Sequence, residues 1–534
     1  MSGRLFLSLD LGTTAVKVAL WSLEVGRRER APASRAPASR GRRRPRAQAE
    51  AHLLALSIQE LALLHPAPEQ VEIDGETVWE AVVRGTAQVL AQAPSSGKAR
   101  AGGRRGAAPD LAGIGLSSQA QTFVLLDDAG EPVRPAVMWL DARAAKEAEE
   151  FRREFSTEAS LRHLGRPEID AIASAPKLRW LRKHEPRALA RARTLLLLPD
   201  YVLYRLTGER VTDPVTAAST GLCHSRGRKW WPEAAEFAGV GHLRLPTVRS
   251  PGEVAGTLRP QAAGELGLAP GVPCAVGTND QLTGALGAGN VEVGTVSETT
   301  GTALALVLTA PADGPAPPRG VGSGPHPAGD ALRYLLAYSK TAGIVLRWFR
   351  DCFFPGASYE ALFAKVAEAP IGCDGVTCIP HFSGTATPHF NPEATGAFLG
   401  LRLGHTASHL ARAIVESLTF DLAANLRLLA EVAGDTGTIR AMGGGARSDL
   451  WLQMKADVLG RSVERVACPE AASLGAAELA MVATGDFGSV AEASLALYRS
   501  DRVFTPDRER GARYALAAAR YAALYRTLCG KGEG

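Results

Sequence analysis

The chain has 534 residues, 46% of them hydrophobic and 22% charged, a composition that is ordinary for a globular protein of two or more domains. Its apolar runs are too short to cross a membrane and its seven cysteines lack the spacing of a zinc site, so we expect a cytoplasmic protein without structural zinc. The net charge of +5 comes from two arginine-rich tracts, residues 26–49 and 95–109, without which the chain is acidic.

The two basic tracts predict solvated insertions rather than folded elements. Residues 26–49 hold nine Arg against one Glu and repeat Ala-Pro-Ala-Ser-Arg at 31–35 and 36–40. Such low-complexity sequence without interleaved aromatic residues cannot bury a core. A basic arm that binds nucleic acid is the alternative reading, and it would bind with a steep salt dependence.

The N-terminal segment predicts a strand, a tight turn and a second strand. The apolar residues 4–10 end in Asp10-Leu11-Gly12-Thr13-Thr14, and residues 16–21 resume the strand pattern. Glycine lets the backbone approach an anion, threonine adds a hydroxyl donor, and successive backbone N–H groups form a concave anion site. This turn is therefore a candidate nucleotide site.

The following elements alternate between helical and strand patterns. Helical spacing is found over 51–65 and 77–93, and strands are predicted at 111–116 and 122–127 on either side of residues 117–121. Further helices are predicted at 142–155, 175–184 and 199–206.

The second half of the chain repeats the opening pattern. After residues 271–276 and a helix at 282–289, residues 294–306 again read as strand, Gly/Thr turn and strand, which suggests duplicated architecture. The longest amphipathic helix is predicted at 407–433. A glycine triplet at 443–445 opens a stretch that reaches Gly460, and helices follow at 470–484 and 507–528.

Taken together, the ordered motifs resemble the FGGY family of carbohydrate kinases, which includes xylulokinase, gluconate kinase and glycerol kinase. The pattern is nearest to xylulokinase and covers nearly all of residues 4–505 apart from the two basic tracts. The motifs are residues 10–17, 117–121, 139–143, 201–208, 277–281, 300–302, 342–348 and 443–457.

The resemblance implies an α/β protein made of two actin-like (ribonuclease-H-like) ATPase domains with an interdomain cleft. We expect an N-terminal domain over 1–290, a C-terminal domain over 291–505 and a terminal helix over 506–534. The implied activity is transfer of the γ-phosphate of ATP, with Mg²⁺, to a hydroxyl of a small sugar, most of all a ketopentose. Glycerol, gluconate and erythritol are the alternative acceptors.

The resemblance also assigns two acidic residues. Asp280 matches the family's catalytic base, which accepts the proton of the attacking hydroxyl; the alternative is a helix N-cap, since a helix follows it. Asp10 would hold Mg²⁺, largely through water; the alternative is an aspartate that only stabilises its own turn.

The nucleotide would be held by glycines and hydroxyl groups from both halves of the chain. The chain lacks a Gly-x-x-x-x-Gly-Lys-Ser/Thr loop, which argues against a Walker-type phosphate site. Lys17 could instead be a solvent-facing strand residue. The predicted nucleotide-binding residues are Thr13, Thr14, Lys17, Thr300, Gly301, Thr302, Gly343, Gly443, Gly444 and Gly445.

The predicted sugar-binding residues are Gln119, Gln121, Trp139, Asp141, Asp280 and Gln281. Amides and carboxylates bind hydroxyl groups directionally, and an indole face packs on the C–H surface of a sugar. Trp139 could instead be a core aromatic. Xylulokinases carry Gln-Met-His-Gly where this chain has Gln-Ala-Gln-Thr at 119–122, so the identity of the sugar stays open.

The expected partner is therefore a small sugar or polyol, with no membrane and no nucleic acid; a homodimer is left open. A sensor that binds nucleotide and sugar without turnover is the alternative of a different class, and the presence of both Asp10 and Asp280 argues against it.

Overall fold

The computed structural model describes residues 3–25, 49–92, 109–166, 168–226, 228–318, 320–387, 389–391, 393–434 and 436–529. Most of the two predicted basic insertions, residues 26–48 and 95–108, lies outside this part of the chain. The chain divides into two compact units. Unit 1 comprises Met1–Ser156, Ile169–Gly289 and Ala472–Tyr498, and unit 2 comprises Thr157–Glu168, Asn290–Ala471 and Arg499–Gly534.

Unit 1 is built on a mixed sheet whose strand order is β11-β12-β5-β1-β2-β3, with β13 pairing to β5. Its strands are β1 (Arg4–Leu11), β2 (Ala15–Val25), β3 (Ala49–Glu60), β4 (Glu72–Ile73), β5 (Leu111–Ser118), β6 (Phe123–Leu126), β7 (Ala136–Val137), β8 (Thr194–Leu197), β9 (Val211–Thr212), β10 (Thr247–Val248), β11 (Val254–Thr257), β12 (Pro273–Ala275) and β13 (Thr278–Asn279). A second sheet has the order β4-β7-β6-β8, and β9 pairs with β10.

The helices of unit 1 are α1 (Gly75–Gln92), α2 (Ala145–Glu154), α4 (Ser174–His184), α5 (Pro186–Arg191), α6 (Leu198–Thr207), α7 (Pro214–Ser219), α8 (Pro232–Ala238), α9 (Pro260–Leu266), α10 (Asp280–Gly287), α15 (Ala471–Ala483) and α16 (Val490–Leu497). Small residues let α15 lie directly on β5. A Cβ added at Gly115 would lie 1.8 Å from the carbonyl oxygen of Ala476, so only glycine fits there. Likewise, a Cβ at Gly475 would lie 2.0 Å from the carbonyl oxygen of Thr283 in α10.

The predicted helix over 51–65 is wrong. Residues 49–60 form β3, which pairs antiparallel with β2 along its whole length, from Ala15↔Glu60 to Val25↔Ala49. The apolar residues of this segment fit a helical face and a strand about equally well. Pairing with a neighbouring strand, which comes from a distant part of the chain, decides between the two.

Unit 2 is built on a sheet with the order β16-β17-β15-β14-β20-β21-β22. Its strands are β14 (Val296–Thr300), β15 (Leu304–Pro311), β16 (Gly322–Pro325), β17 (Leu332–Ser339), β18 (Thr377–Ile379), β19 (Ala397–Leu399), β20 (Ile439–Met442), β21 (Val463–Val466) and β22 (Ser500–Phe504). Its helices are α3 (Thr157–Leu164), α11 (Gly343–Phe353), α12 (Tyr359–Glu368), α13 (Ala407–Ala433), α14 (Asp449–Leu459) and α17 (Arg508–Cys529).

The long predicted helix is confirmed as α13. Thr406 and His409 form a capping box at its start, and Gly434 follows its end with φ +82°. The predicted apolar stripe is buried from Ile414 to Leu429, where it forms part of the core of unit 2. Burial of this stripe stabilises the helix more than its intrinsic propensity does.

The predicted duplication is visible in the two main sheets. In unit 1, β1 pairs antiparallel with β2 and parallel with β5. In unit 2, β14 pairs antiparallel with β15 and parallel with β20. Each Gly/Thr turn therefore follows a central strand of its own sheet. Among the described helices, none is both long and apolar enough to span a membrane.

Candidate active site

Two acidic side chains of unit 1 lie near each other at the ends of their elements. Asp10 lies near the end of β1, where its Oδ1 accepts a hydrogen bond of 2.7 Å from Ser117 Oγ on the adjacent strand β5. Asp280 is the first residue of α10. The negative charge of Asp10 is one cause of the raised pKa of Asp280, so the two carboxylates influence each other directly.

The pKa of the Asp280 carboxyl is raised to about 7, first by burial and then by the charge of Asp10. The N-cap of α10 is Asn279, whose side chain accepts a hydrogen bond from Gln281 N at 3.0 Å. The alternative reading of Asp280 as the N-cap is therefore wrong. A carboxyl with a pKa near neutrality can gain and lose a proton under working conditions.

Asp213, which the sequence reasoning missed, supports the strand that presents Asp280. The carboxylate of Asp213 is buried, caps α7 and accepts a hydrogen bond of 2.8 Å from Thr278 Oγ1. Thr278 precedes Asp280 by two residues. Burial raises the pKa of Asp213, and hydrogen bonds from Thr278 Oγ1 and from the N–H groups of Val215 and Thr216 oppose that rise. The Asp-Pro pair is a helix-start signal, but its link to Thr278 spans 65 residues.

The turn between β1 and β2 presents unused backbone donors. Gly12 N–H is hydrogen-bonded to the carbonyl oxygens of Asp10 and Ala15. The N–H groups of Thr13 and Thr14 donate to no other residue in the described part of the chain. Lys17 lies on β2 directly opposite Asp10. Neighbouring free N–H groups at a turn suit an anionic ligand.

The predicted sugar residues Gln119, Gln121 and Trp139 differ in whether their side chains form hydrogen bonds within the protein. Gln119 is buried, and its amide donates to the carbonyl oxygen of Gly12 at 3.0 Å and accepts from Thr122 Oγ1 at 2.9 Å. Gln121 is half-buried with φ +62°, a left-handed conformation that is uncommon for a residue other than glycine. Its side-chain amide has no hydrogen bond to another described residue.

Asp141 has its carboxylate committed to its surroundings. Arg143 approaches both carboxylate oxygens, at 2.8 and 2.7 Å, and Val71 N–H donates to Oδ2 at 2.7 Å. Arg143 also pairs with Glu72 at 2.6 Å. This geometry fastens the 138–143 segment to the neighbouring strand β4. Gln281 is half-buried in the first turn of α10.

Lys177 is a further buried residue that the sequence reasoning missed. Its ammonium donates to the carbonyl oxygens of Met138 and Trp139 at 2.9 Å each and of Ile172 at 3.0 Å. Burial lowers its pKa to about 8, against the attraction of Asp141 and Asp170. Lys177 thus fixes the backbone on which Trp139 stands. A lysine in a helical pattern looks like a surface residue, so no local signal could have identified it.

In unit 2, the second Gly/Thr turn packs closely against two other predicted nucleotide residues. A Cβ at Gly343 would lie 2.3 Å from the carbonyl oxygen of Gly301, and Gly343 N donates to that oxygen at 2.9 Å. Gly443 has φ +80°, and a Cβ there would lie 2.8 Å from the carbonyl oxygen of Thr300. Unit 2 therefore brings together Thr300–Thr302, Gly343 and the 443–445 triplet.

A buried ion pair lies behind this turn. Lys455 Nζ is 2.8 Å from Glu298 Oε2 and 3.1 Å from Thr300 Oγ1, and the Thr300 hydroxyl also bonds to Glu298. Lys455 and Glu298 are both buried, and the ammonium lies over the ring of Trp451. The hydroxyl of Thr300 is thus already engaged within the protein. Sequence reasoning missed this pair because its members are 157 residues apart.

The residues of unit 1 fit a magnesium–nucleotide. Two neighbouring carboxylates, at Asp10 and Asp280, suit a divalent cation, and the free N–H groups of Thr13 and Thr14 suit phosphate oxygens. No group of three or more potential metal-ligating side chains occurs among the described residues. Few protein ligands are typical of Mg²⁺, which keeps several waters when it binds with a nucleotide.

Comparison with known proteins gives consistent matches to one family. The models of the N-terminal and C-terminal domains of the FGGY family of carbohydrate kinases match residues 47–287 and 312–484. The chain is 29% identical over 419 residues to a xylulose kinase of Bacillus subtilis, covering 78% of this chain and 83% of that protein. It is 30% identical over 479 residues to a glycerol kinase of Polaromonas naphthalenivorans, covering 86% and 92%.

Solved structures of other proteins match this structure over almost the whole chain. The crystal structure of xylulose kinase from Rhodospirillum rubrum matches with a TM-score of 0.82 and 28% identity, covering 99% of each chain. The crystal structure of Plasmodium falciparum glycerol kinase with ADP matches with a TM-score of 0.82 at 19% identity. At this low identity, the match shows only that the fold is shared. The mixed α/β units thus have the actin-like, ribonuclease-H-like ATPase fold that the sequence predicted.

Proposed function

The chain belongs to the FGGY family of carbohydrate kinases, and we propose that it transfers the γ-phosphoryl group of ATP to a hydroxyl of a ketopentose such as xylulose. The xylulose kinases among its relatives support the ketopentose. The observation that carries the proposed chemistry is the juxtaposition of Asp280 with Asp10. It supplies a carboxyl of near-neutral pKa beside a second carboxylate that suits a cation.

Asp280 acts as the general base in this proposal. A sugar hydroxyl is a poor nucleophile, and its proton must leave as the oxygen attacks phosphorus. A carboxylate oxygen of Asp280 accepts that proton, and a pKa of about 7 makes this transfer more favourable than an ordinary aspartate would. Asp213 accepts a hydrogen bond from the Thr278 hydroxyl and Asn279 accepts one from Gln281 N–H, so residues on both sides of Asp280 are held in place.

We assign the nucleotide contacts to the two Gly/Thr turns and to the glycines packed near the second turn. ATP bound with Mg²⁺ supplies the phosphoryl group and a cation that offsets its negative charge. Asp10 would hold the cation, and the Gly/Thr turn of each unit would contribute to phosphate binding. The assigned contacts are Thr13, Thr14 and Lys17 from unit 1 and Thr300, Gly301, Thr302 and Gly343 from unit 2, with Gly443, Gly444 and Gly445 beside adenosine.

The sugar is bound by residues of unit 1. Trp139 offers an indole face to the C–H surface of the sugar, and the amides of Gln121 and Gln281 bind its hydroxyl groups. The side chains of Gln119 and Asp141 already have protein partners, so we assign them the task of holding the Gly12 and Trp139 segments, and sugar contact by either stays a prediction.

A coupled assay of ADP release tests the proposed function. Pentuloses, hexuloses, polyols and aldonates are offered in turn with ATP and Mg²⁺. We expect the highest kcat/KM with xylulose or a closely related ketopentose. Preference for glycerol, gluconate or erythritol would keep the kinase and replace the acceptor. No sugar-dependent ADP release with any acceptor would contradict the proposal.

A further inference from the structure

The indole of Trp139 is hydrogen-bonded to the turn that we assign to phosphate binding. Trp139 Nε1 lies 3.0 Å from Thr13 Oγ1, although the two residues are 126 positions apart. An indole N–H can only donate a hydrogen bond. Thr13 Oγ1 must therefore accept it, and its own hydrogen must point elsewhere. That hydrogen has no acceptor among the other described residues.

The backbone of Trp139 is fixed from two sides, which keeps the indole in this position. Its carbonyl oxygen and that of Met138 accept from the buried ammonium of Lys177. Its N–H donates to Thr122 Oγ1 at 3.1 Å. With both its main-chain groups engaged, Trp139 is a rigid support for whatever its side chain contacts.

The hydrogen bonds that start at Trp139 return to the same turn. From its N–H, the chain of donors runs through the Thr122 hydroxyl to Gln119, whose amide donates to the carbonyl oxygen of Gly12. From its indole, the second path reaches Thr13 directly. Gly12 and Thr13 are adjacent, so one residue holds two consecutive positions of the turn.

We propose that Trp139 is a positioning residue for the phosphate turn, because its indole N–H orients the Thr13 hydroxyl so that this hydroxyl donates to a nucleotide phosphate. This inference rests on the proposed function and extends it. Trp139 serves the nucleotide as well as the sugar.

The test removes the indole donor while it keeps an aromatic ring. We expect Trp139→Phe to lower kcat/KM for ATP by about 5–10-fold, the size expected for one hydrogen bond. We expect KM for the sugar to change by less than about threefold, because the ring face remains. Trp230→Phe is the matched control, since it removes an indole hydrogen bond, to the Pro246 carbonyl oxygen, elsewhere in unit 1.

A double-mutant cycle isolates the coupling. Thr13→Val removes the acceptor, whereas Thr13→Ser keeps an oxygen in its place and should retain most of the ATP dependence. In the pair Trp139→Phe/Thr13→Val, we expect the loss for ATP to equal that of Thr13→Val alone. Additive losses, or a Trp139→Phe defect confined to sugar KM, would overturn the proposal.

Direct titration of ATP in the absence of sugar separates this inference from the proposed function. If the wild-type protein turns over no sugar, the proposed acceptor chemistry is wrong, but weaker ATP binding by Trp139→Phe and Thr13→Val still supports the positioning role. Unchanged ATP affinity in both variants refutes that role. Should Trp139→Phe fail to fold, the Thr13→Val and Thr13→Ser pair decides, and equal ATP affinity in those two variants refutes the role.

Discussion

The two units present their Gly/Thr turns from the same strand arrangement but surround them with different charges. In unit 1, four residues separate the paired positions Leu11 and Val16, and the nearby carboxylates are Asp10 and Asp280. In unit 2, three residues separate Thr300 and Leu304, and the nearby carboxylate, Glu298, is paired with Lys455.

This difference shows how one architecture can divide its tasks. In unit 1 the negative charge of Asp10 helps to raise the pKa of Asp280. In unit 2 the charges are neutralised within the protein, so the turn is held rigidly. We infer that unit 1 supplies the acid–base chemistry and unit 2 supplies a fixed binding surface.

Removal of the negative charge of Asp280 should have the largest effect on activity. We expect Asp280→Asn to lower kcat by about 10²–10⁴-fold, the usual contribution of a general base, with little change in ATP affinity. The ADP-release assay and ATP titration measure the two quantities. Asp128→Asn, at an exposed carboxylate of unit 1, is the control. Turnover near the wild-type level would contradict the role of Asp280.

The pH dependence of kcat/KM provides a second test of the role of Asp280. In the wild type, kcat/KM should rise with pH up to about 7, as Asp280 loses its proton.

The stability of the folded protein should instead fall as Asp280 loses its proton. The folded pKa lies above that of the unfolded chain, so stability is lost as pH rises from about 4 to about 7. Asp280→Asn should therefore raise Tm above pH 7 and leave it unchanged below pH 4.

In unit 2, the matching change should affect stability rather than chemistry. Lys455→Met leaves the buried charge of Glu298 unpaired, and we expect a loss of about 3–5 kcal/mol in the free energy of unfolding. Adding Glu298→Gln removes that charge and keeps an acceptor for Thr300, so most of the loss should be recovered. Urea unfolding measures both variants. Equal stability of the single and double variants would argue against a strong pair.

Unit 1 also contains a buried carboxyl group that should lower the stability of the folded protein. Glu478 on α15 is buried, and neither carboxylate oxygen has a hydrogen-bond partner among the described residues. Burial raises its pKa well above the ordinary value. We expect Glu478→Met to stabilise the protein by about 1–3 kcal/mol at pH 8, because it removes an unsatisfied polar group.

The sign of the Glu478 effect with pH is also determined. The pKa of Glu478 is higher in the folded protein than in the unfolded chain. The wild type therefore loses stability as the pH rises above the pKa of an ordinary glutamate. The stability advantage of Glu478→Met should grow with pH and be smallest below about pH 4. Thermal unfolding between pH 4 and 8 measures it, with Glu416→Met in unit 2 as the contrast, because Glu416 is paired with Arg412. Destabilisation by Glu478→Met at pH 8 would contradict this view of the site.

The smallest expected effect concerns the sugar alone. Gln121→His restores the side chain that xylulokinases carry at this position, and we expect sugar KM to change by severalfold while ATP KM stays within about twofold. Kinetics with xylulose and one hexulose measure the preference. A change confined to ATP KM would contradict the assignment of Gln121 to the sugar.

Much of the local structure followed from the sequence pattern. The helix α13, the two hairpins and the small-residue helix α15 lie where apolar spacing and Gly/Thr turns predicted them, because such signals act over a few residues. The strand β3 did not, since its pairing with β2 depends on a segment far from it in the chain.

The order of the motifs along the chain was sufficient to identify the kinase family and to nominate Asp10, Thr13, Trp139 and Asp280. Only the tertiary structure decided which side chains are already engaged. Trp139 with Thr13, Asp213 with Thr278 and Glu298 with Lys455 are each joined across 65 or more residues. Sequence spacing carries no record of such contacts, because they form only when separate strands and helices pack together.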